Sequence, residues 1–234
     1  MTSQVTYCGI HQPNLFPRLS TLAKLFAADH WVVLNDVQFV RRDYQHRCRL
    51  ARPGHPDHHQ WLPLSVHLPH GRNTRIDQAR IVEPRQCQRR VARLTRQYYG
   101  RSPFWSALRE PLQHVLDLFA TTDRLDDVAE ASTRLLLDLL NWPGKVVRSD
   151  QFEVRLGRSG RLADLTVSVG ASHYLCGTGG ARYLDAVPFA AAGVRVHYLQ
   201  PPTGGIWADA RRLSSLTALM AIGPAAFRRN WWGS

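Results

Sequence analysis

Residues 4–36 read as strand, helix and strand, and residues 145–223 return to the same alternation. QVTYCGIH (4–11) is a short strand that stops at Pro13, and LSTLAKLFAAD (19–29) carries apolar residues at 19, 22, 25 and 26, a helical spacing. HWVVLND (30–36) is apolar and β-branched and ends in polar residues, which completes a stretch of βαβ length. Further on, KVVRSD (145–150) is a strand and RLADLTVSVG (161–170) a helix closed by Gly170. HYLCG (173–177) is again a strand, GGARYLDAVPFAAAG a Gly-rich entry into a helix, VRVHYL (194–199) a strand and RLSSLTALMAIG (212–223) a last helix. Strands that alternate with helices predict a layered α/β fold with a mostly parallel sheet.

The middle of the chain has a different texture. Residues 44–85 predict an antiparallel portion: YQHRCRLA alternates, ARPGHPDHH is a loop, and WLPLSVHL and RIDQARIV are strands. Residues 86–141 predict three helices, with Ser102-Pro103 as an N-cap followed by Pro at N1 and Asn141-Trp-Pro-Gly144 as the stop. With no linker, repeat or low-complexity tract in sight, this helical stretch is read as an insertion within a single α/β domain covering 1–234.

Four cysteines (Cys8, Cys48, Cys87, Cys176) lie far apart with no CxxC pair, which excludes a disulfide scaffold or zinc finger by spacing and fits a reducing compartment. No apolar run reaches the ~18–20 residues of a membrane span. The start MTSQVTYCGIHQP lacks a basic segment followed by an apolar one, so a cytoplasmic protein is expected. The formal charge is +12, and 28 of the 30 basic residues are Arg. Residues 1–110 carry 17 basic and 7 acidic side chains, the remainder 13 and 11, so the excess sits in the first half. Such a basic face meets something anionic: nucleic acid, a phosphorylated ligand, an acidic protein or a membrane surface.

Candidate chemistry clusters after the predicted strands, where α/β sheets bind ligands. His11, Gln12 and Asn14 follow the first strand and offer an imidazole and two amides; the plain alternative is a turn stiffened by Pro13 and Pro17. Asn35, Asp36 and Gln38 follow the second strand, where Asp36 could orient His11 or simply close a turn. In RRDYQHRCR (41–49), Arg42, Tyr44 and Arg47 suit a carboxylate or phosphate, or else a charged edge strand; Arg47 and Arg49 share one strand face, His46 and Cys48 the other. The GTGG turn (Gly177, Gly179, Gly180), with Tyr183 near the place of a third glycine, could cradle a phosphate at a helix start or be a close-packed turn. Cys176 beside it is a nucleophile candidate or a small buried residue. Six of eleven histidines (His46, His55, His58, His59, His67, His70) fall within 25 residues, but without the geometry of a metal motif, so no metal site is assigned. Trp231 and Trp232 beside Arg228 and Arg229, like Tyr44, could stack bases.

These pieces resemble the WbqC-like protein family. The resemblance runs through HQPNLFP (11–17), AADHWVVLNDVQF (27–39), YQHRCRL (44–50), WLPLSV (61–66), SPF (102–104), RSD (148–150), HYLCGTGGARYLD (173–185), the Gly-Val-Arg-Val strand after it and RLSSLTALMAIG (212–223). It implies a small cytoplasmic α/β enzyme of polysaccharide or natural-product gene clusters that transfers an acyl or aminoacyl group. The matching positions are His11, Gln12, Pro13, Asp36, Gln38, Arg47, Gly177, Gly180 and Tyr183. The chain departs from the family pattern at Asn35 and Thr217, where an acid is usual, and at Cys176, where a Ser is usual.

The expectation is therefore a transferase that takes an acyl or aminoacyl group from a carrier-protein thioester to an amine or hydroxyl. His11 would be the base, Asp36 its orienting partner, and Gln12 and Gln38 oxyanion donors. Asn14, Arg42, Tyr44, Arg47, Cys176, Gly177, Gly179, Gly180 and Tyr183 would bind substrate. No cofactor is expected beyond a carrier's phosphopantetheine arm; the partners are an acidic carrier protein and a small-molecule acceptor. The alternatives are a nucleotide-sugar-binding or modifying protein and, with no nucleic-acid motif to support it, a nucleic-acid-binding protein.

Overall fold

The computed structural model describes residues 5–155 and 157–229. In chain order its elements are β1 (Tyr7–His11), α1 (Leu19–Phe26), β2 (His30–Val33), β3 (Arg47–Arg52), β4 (His55–Pro63), β5 (Val66–His67), β6 (Arg80–Ile81), α2 (Pro84–Tyr99), α3 (Trp105–Thr121) and α4 (Leu125–Leu139). They continue as β7 (Lys145–Arg148), α5 (Arg158–Ser168), β8 (His173–Cys176), α6 (Val187–Ala191), β9 (Arg195–Tyr198), α7 (Ser215–Ile222) and α8 (Pro224–Arg229). They form two compact units interleaved along the chain. The first holds the chain up to Gln12, Ala23–Asn35 and Pro143–Pro201; the second holds Pro13–Leu22, Asp36–Trp142 and the chain from Pro202 on.

The first unit is the predicted α/β layer. Its five strands lie in the order β7-β2-β1-β8-β9, every pair parallel. Alternation along β1 sets its two faces. Cys8 and Ile10 enter an apolar cluster with Ala163 and Leu165 of α5 and Phe189 of α6, where Tyr174 stacks on Phe189 at 5.0 Å. Gly9 faces the chain from α1 into β2: a Cβ there would lie 3.1 Å from the Ala28 Cβ, so only glycine lets that segment approach. Trp31, Val32 and Val33 of β2 are all buried, which explains why this strand reads as a continuous apolar run. Each such side chain contributes about 1.5–3 kcal/mol by leaving water.

The second unit carries the antiparallel and helical portions. β3 and β4 form an antiparallel hairpin with Arg49 opposite Trp61, turned at Pro53-Gly54, where Gly54 takes φ 79°. β5 and β6 form a second, two-residue antiparallel pair. α2, α3 and α4 bury Val91, Leu94, Leu108, Leu112, Val115, Val128 and Leu136, the periodic stripe expected of core helices. Asn141 adopts φ 52° after α4 and ends it, as its position in the Asn-Trp-Pro-Gly stop requires.

Four local readings are corrected. His55, His58 and His59 lie in β4, not in a loop: pairing with β3 orders an exposed strand without needing a buried face. The stretch 75–82 is strand only at Arg80–Ile81; Ile76–Gln78 is a 3₁₀ turn, closed by Gln78 and Ala79 N–H groups donating to the Arg75 and Ile76 carbonyls and by the Gln78 Oε1 accepting the Arg75 N–H. Ser102 does not cap α3; its hydroxyl donates to the Met220 carbonyl at 2.7 Å and accepts the Phe104 N–H, so the helix starts at Trp105. The segment after GTGG is a run of turns, and helix resumes only at Val187. No helix among the described residues is long and apolar enough to cross a membrane.

Candidate functional site

The strand order of the first unit fixes where a ligand can sit. The chain winds from β1 through β2 to β7 on one side and through β8 to β9 on the other, so the order reverses between β1 and β8. Crossovers leave that edge in opposite directions, and the carboxyl ends of the two strands at such a reversal are where parallel α/β sheets bind ligands. His11 and Gln12 stand at the end of β1, and Cys176 followed by Gly177-Thr178-Gly179-Gly180 at the end of β8.

His11 is held by its own backbone neighbourhood. Its Nδ1 lies 2.8 Å from the Gln12 carbonyl. A carbonyl only accepts, so Nδ1 carries the proton and Nε2 is the nitrogen able to take one. The His11 carbonyl accepts the Leu34 N–H at 2.9 Å and the Trp31 indole N–H at 3.3 Å, which ties the end of β1 to β2.

On the opposite side of β1 stands a residue that the sequence pattern hid. β1 pairs with β8 at Tyr7 and Cys8. Successive peptides point to opposite edges, so the Ile10 carbonyl points toward β8, and it accepts the Lys24 ammonium at 2.5 Å. Lys24 is buried, and burial pushes its pKa down to about 8, against the opposing pull of Cys176 and Cys8. Its Cδ is 3.5 Å from where a Gly177 Cβ would be. Cys176 is buried too; desolvation raises its pKa and Lys24 lowers it. Its Sγ would lie 3.1 Å from a Gly180 Cβ, so the glycine lets the turn fold over the sulfur. The turn consumes the N–H groups of Gly180, Ala181 and Tyr183 in bonds to Gly177 and Gly180 carbonyls; those of Thr178 and Gly179 are not used by it. Tyr183 is 68% exposed, with Arg158 5.8 Å over its ring.

Asn35 completes this unit's polar groups. It is buried, donates through Nδ2 to Asp150 at 2.9 Å and accepts the Ser149 hydroxyl at 3.4 Å. Where the resemblance has an acid, this chain has an amide, the side chain that can donate to the Asp150 carboxylate.

The remaining sequence candidates fold into the second unit. Asn14, fully buried, gives its carbonyl to Ser132 and Thr133 of α4, while neither Nδ2 nor Oδ1 of its side chain has a hydrogen-bond partner among the described residues. Asp36 begins a strap in which Val37 and Phe39 bond to Ile76 and Thr74, and the Gln38 amide donates to the Arg72 carbonyl at 2.6 Å. Arg42 is exposed. Tyr44 packs against Trp61 at 5.7 Å, and Arg47 lies 4.3 Å over the Trp61 ring while its Nε donates to the Asp43 carbonyl. Thr217 hydrogen-bonds the buried Tyr99 hydroxyl at 3.0 Å, a structural use of the position. A groove of about 530 Å³ lined by His114, Leu118, Arg134 and Asp138 of α3 and α4 contains none of the candidates. Among the described residues no group of three or more His, Cys, Asp or Glu is placed to hold a metal ion. Trp231 and Trp232 lie outside the described residues.

A mixed α/β chain with a five-stranded parallel sheet, small antiparallel pairs and polar groups at the strand ends is thus the class defined by fold and site. The chain belongs to the WbqC-like protein family, whose model matches residues 12–228. No curated protein and no solved structure matches it.

Proposed function

We propose that the protein transfers an acyl or aminoacyl group from a carrier-protein thioester to an amine or hydroxyl acceptor, with His11 as general base. The observation that carries this reading is the ring orientation of His11 at the strand-order reversal: Nδ1 is bound to the Gln12 carbonyl, which leaves Nε2 as the proton acceptor. Nε2 takes the proton of the acceptor as its nitrogen or oxygen attacks the thioester carbonyl, and a bond to carbon forms. The C–S bond then breaks, and His11 returns the proton to the departing thiolate. Direct attack needs no protein nucleophile, consistent with a Cys176 thiol kept protonated by burial. The Gln12 amide and the Thr178 and Gly179 N–H groups are the donors for the developing oxyanion in this unit. The basic first half of the chain would bring in an acidic carrier and its phosphopantetheine arm, mainly by speeding association.

Incubation with aminoacyl-loaded carrier proteins and amine or hydroxyl acceptors, followed by intact mass, tests the reading. Loss of the loaded form is expected, and His11→Ala should slow it ~10²–10⁴-fold. A carrier that stays loaded with every acceptor sinks the transferase reading. A loss under about threefold in the variant removes His11 as the base.

A further inference from the structure

Some arginines of the second unit are paired with carboxylates. Arg75 pairs with Asp77, Arg80 with Asp123, Arg124 with Asp126 and Asp127, and Arg134 with Glu130. Three others are set apart by where they sit. Arg18, Arg47 and Arg49 have no carboxylate partner among the described residues, yet they are gathered at one place. Arg18 lies 4.1 Å over the Tyr44 ring, Arg47 and Arg49 lie 4.3 and 4.5 Å over Trp61, and the two rings are 5.7 Å apart. The backbone fixes this gathering: Arg49 faces Trp61 in the hairpin register, Ser214 donates to the Arg49 carbonyl, and Arg18 bridges Ser214.

A guanidinium over a ring uses its face, and its N–H groups stay available in its plane. Arg18 commits one of them to the Arg211 carbonyl and Arg47 one to the Asp43 carbonyl. The Nε–H groups of Arg18 and Arg49 are shut off from water and have no acceptor among the described residues. Buried donors without acceptors are costly, and three adjacent positive charges without a counter-charge are costlier. One ligand relieves the charge: a compact anion of two or more charges whose oxygens accept the outward N–H groups of the guanidinium forks. We propose that Arg18, Arg47 and Arg49, mounted on Tyr44 and Trp61, form a binding site for a phosphoryl group, with diphosphate as its simplest occupant. The assignment does not rest on the transferase reading.

Titration of the ¹⁵N-labelled full chain tests it, read at the arginine Nε–H resonances and by thermal shift. The probes are diphosphate, ADP, 4′-phosphopantetheine, succinate and a single-stranded oligonucleotide. Diphosphate is expected to shift the Arg18 and Arg49 Nε–H signals and raise the melting temperature. Arg47→Gln/Arg49→Gln should weaken it ~10-fold or more, whereas His11→Ala should bind as the parent does. ADP or phosphopantetheine binding more tightly than diphosphate identifies which phosphate ester the site serves. The proposal is overturned if no phosphate probe shifts those signals at about 10 mM, well above a 1 mM dissociation constant. Succinate binding as well as diphosphate, or binding by the oligonucleotide alone, overturns it equally. Should the double variant fail to fold, the signals of the parent protein decide.

Discussion

Two side chains illustrate how single positions are matched to neighbours distant in sequence. Asn35 and Asp150 meet at 2.9 Å. Asn35→Asp places two carboxylates there, and one must hold a proton well above the ordinary carboxylate range. The folded variant then binds more protons than the unfolded chain as pH rises, so its stability falls with pH. We expect a loss of about 1–3 kcal/mol at neutral pH, largely regained near pH 5, measured by urea unfolding at both. Lys24 runs the other way. Its folded pKa of about 8 lies below the ordinary lysine value of 10.5, so the unfolded chain holds the extra proton across that window and stability gains as pH rises through it. Relative to Lys24→Met, the parent should gain on the order of 3 kcal/mol between pH 8 and 10.5; parallel curves would show that Lys24 does not titrate there. Lys24 is not legible as a site residue in the sequence. Its helical spacing placed it off the apolar face, and nothing local announced that the strand-end carbonyl of Ile10 needed a donor.

Among the elements, those whose order comes from apolar burial could be read, and those whose order comes from hydrogen bonding could not. β1, β2, β8, β9 and α2 to α5 fall where periodicity predicts them. β4 is hidden because a polar hairpin strand is held by its backbone partner, and the Ile76–Gln78 turn because backbone bonds and the Gln78 side chain close it. The helix after GTGG was overread: Gly177–Gly180 bonds to itself, and α6 has five residues. Polar motifs were found, but their grouping was not. HQPN spans the boundary between the two units, so His11 and Asn14 belong to different ones, and no spacing rule exposes that. Helix-to-strand packing at Gly9 yields a direct test. Gly9→Ala sets a Cβ 3.1 Å from that of Ala28, a backbone-mounted neighbour with little room to give. A loss of about 1–3 kcal/mol is expected in chemical unfolding; an unchanged midpoint would mean that the 23–29 segment rides freely over β1.

At the level of the whole molecule, charge and sequence order matter together. Most of the +12 lies in residues 1–110, which include β1, α1, β2 and the arginine-bearing hairpin. If association with an acidic carrier is steered by this charge, raising ionic strength from about 0.01 to 0.15 M, which shortens the screening length from roughly 30 to 8 Å, should slow association severalfold while dissociation changes little. Stopped-flow mixing separates the two rates, and salt-independent association would assign the charge elsewhere. The interleaving of the two units also has a consequence for synthesis. β1 and β2 leave the ribosome early, but β7, the outer neighbour of β2, follows only after the 36–142 excursion, and β8 and β9 later still. At roughly 5–20 residues per second, the first two strands wait many seconds with bare edges and an uncovered apolar face. Nascent chains stalled near residue 142 should therefore be bound by chaperones through residues 7–33 and be released once translation has passed residue 201.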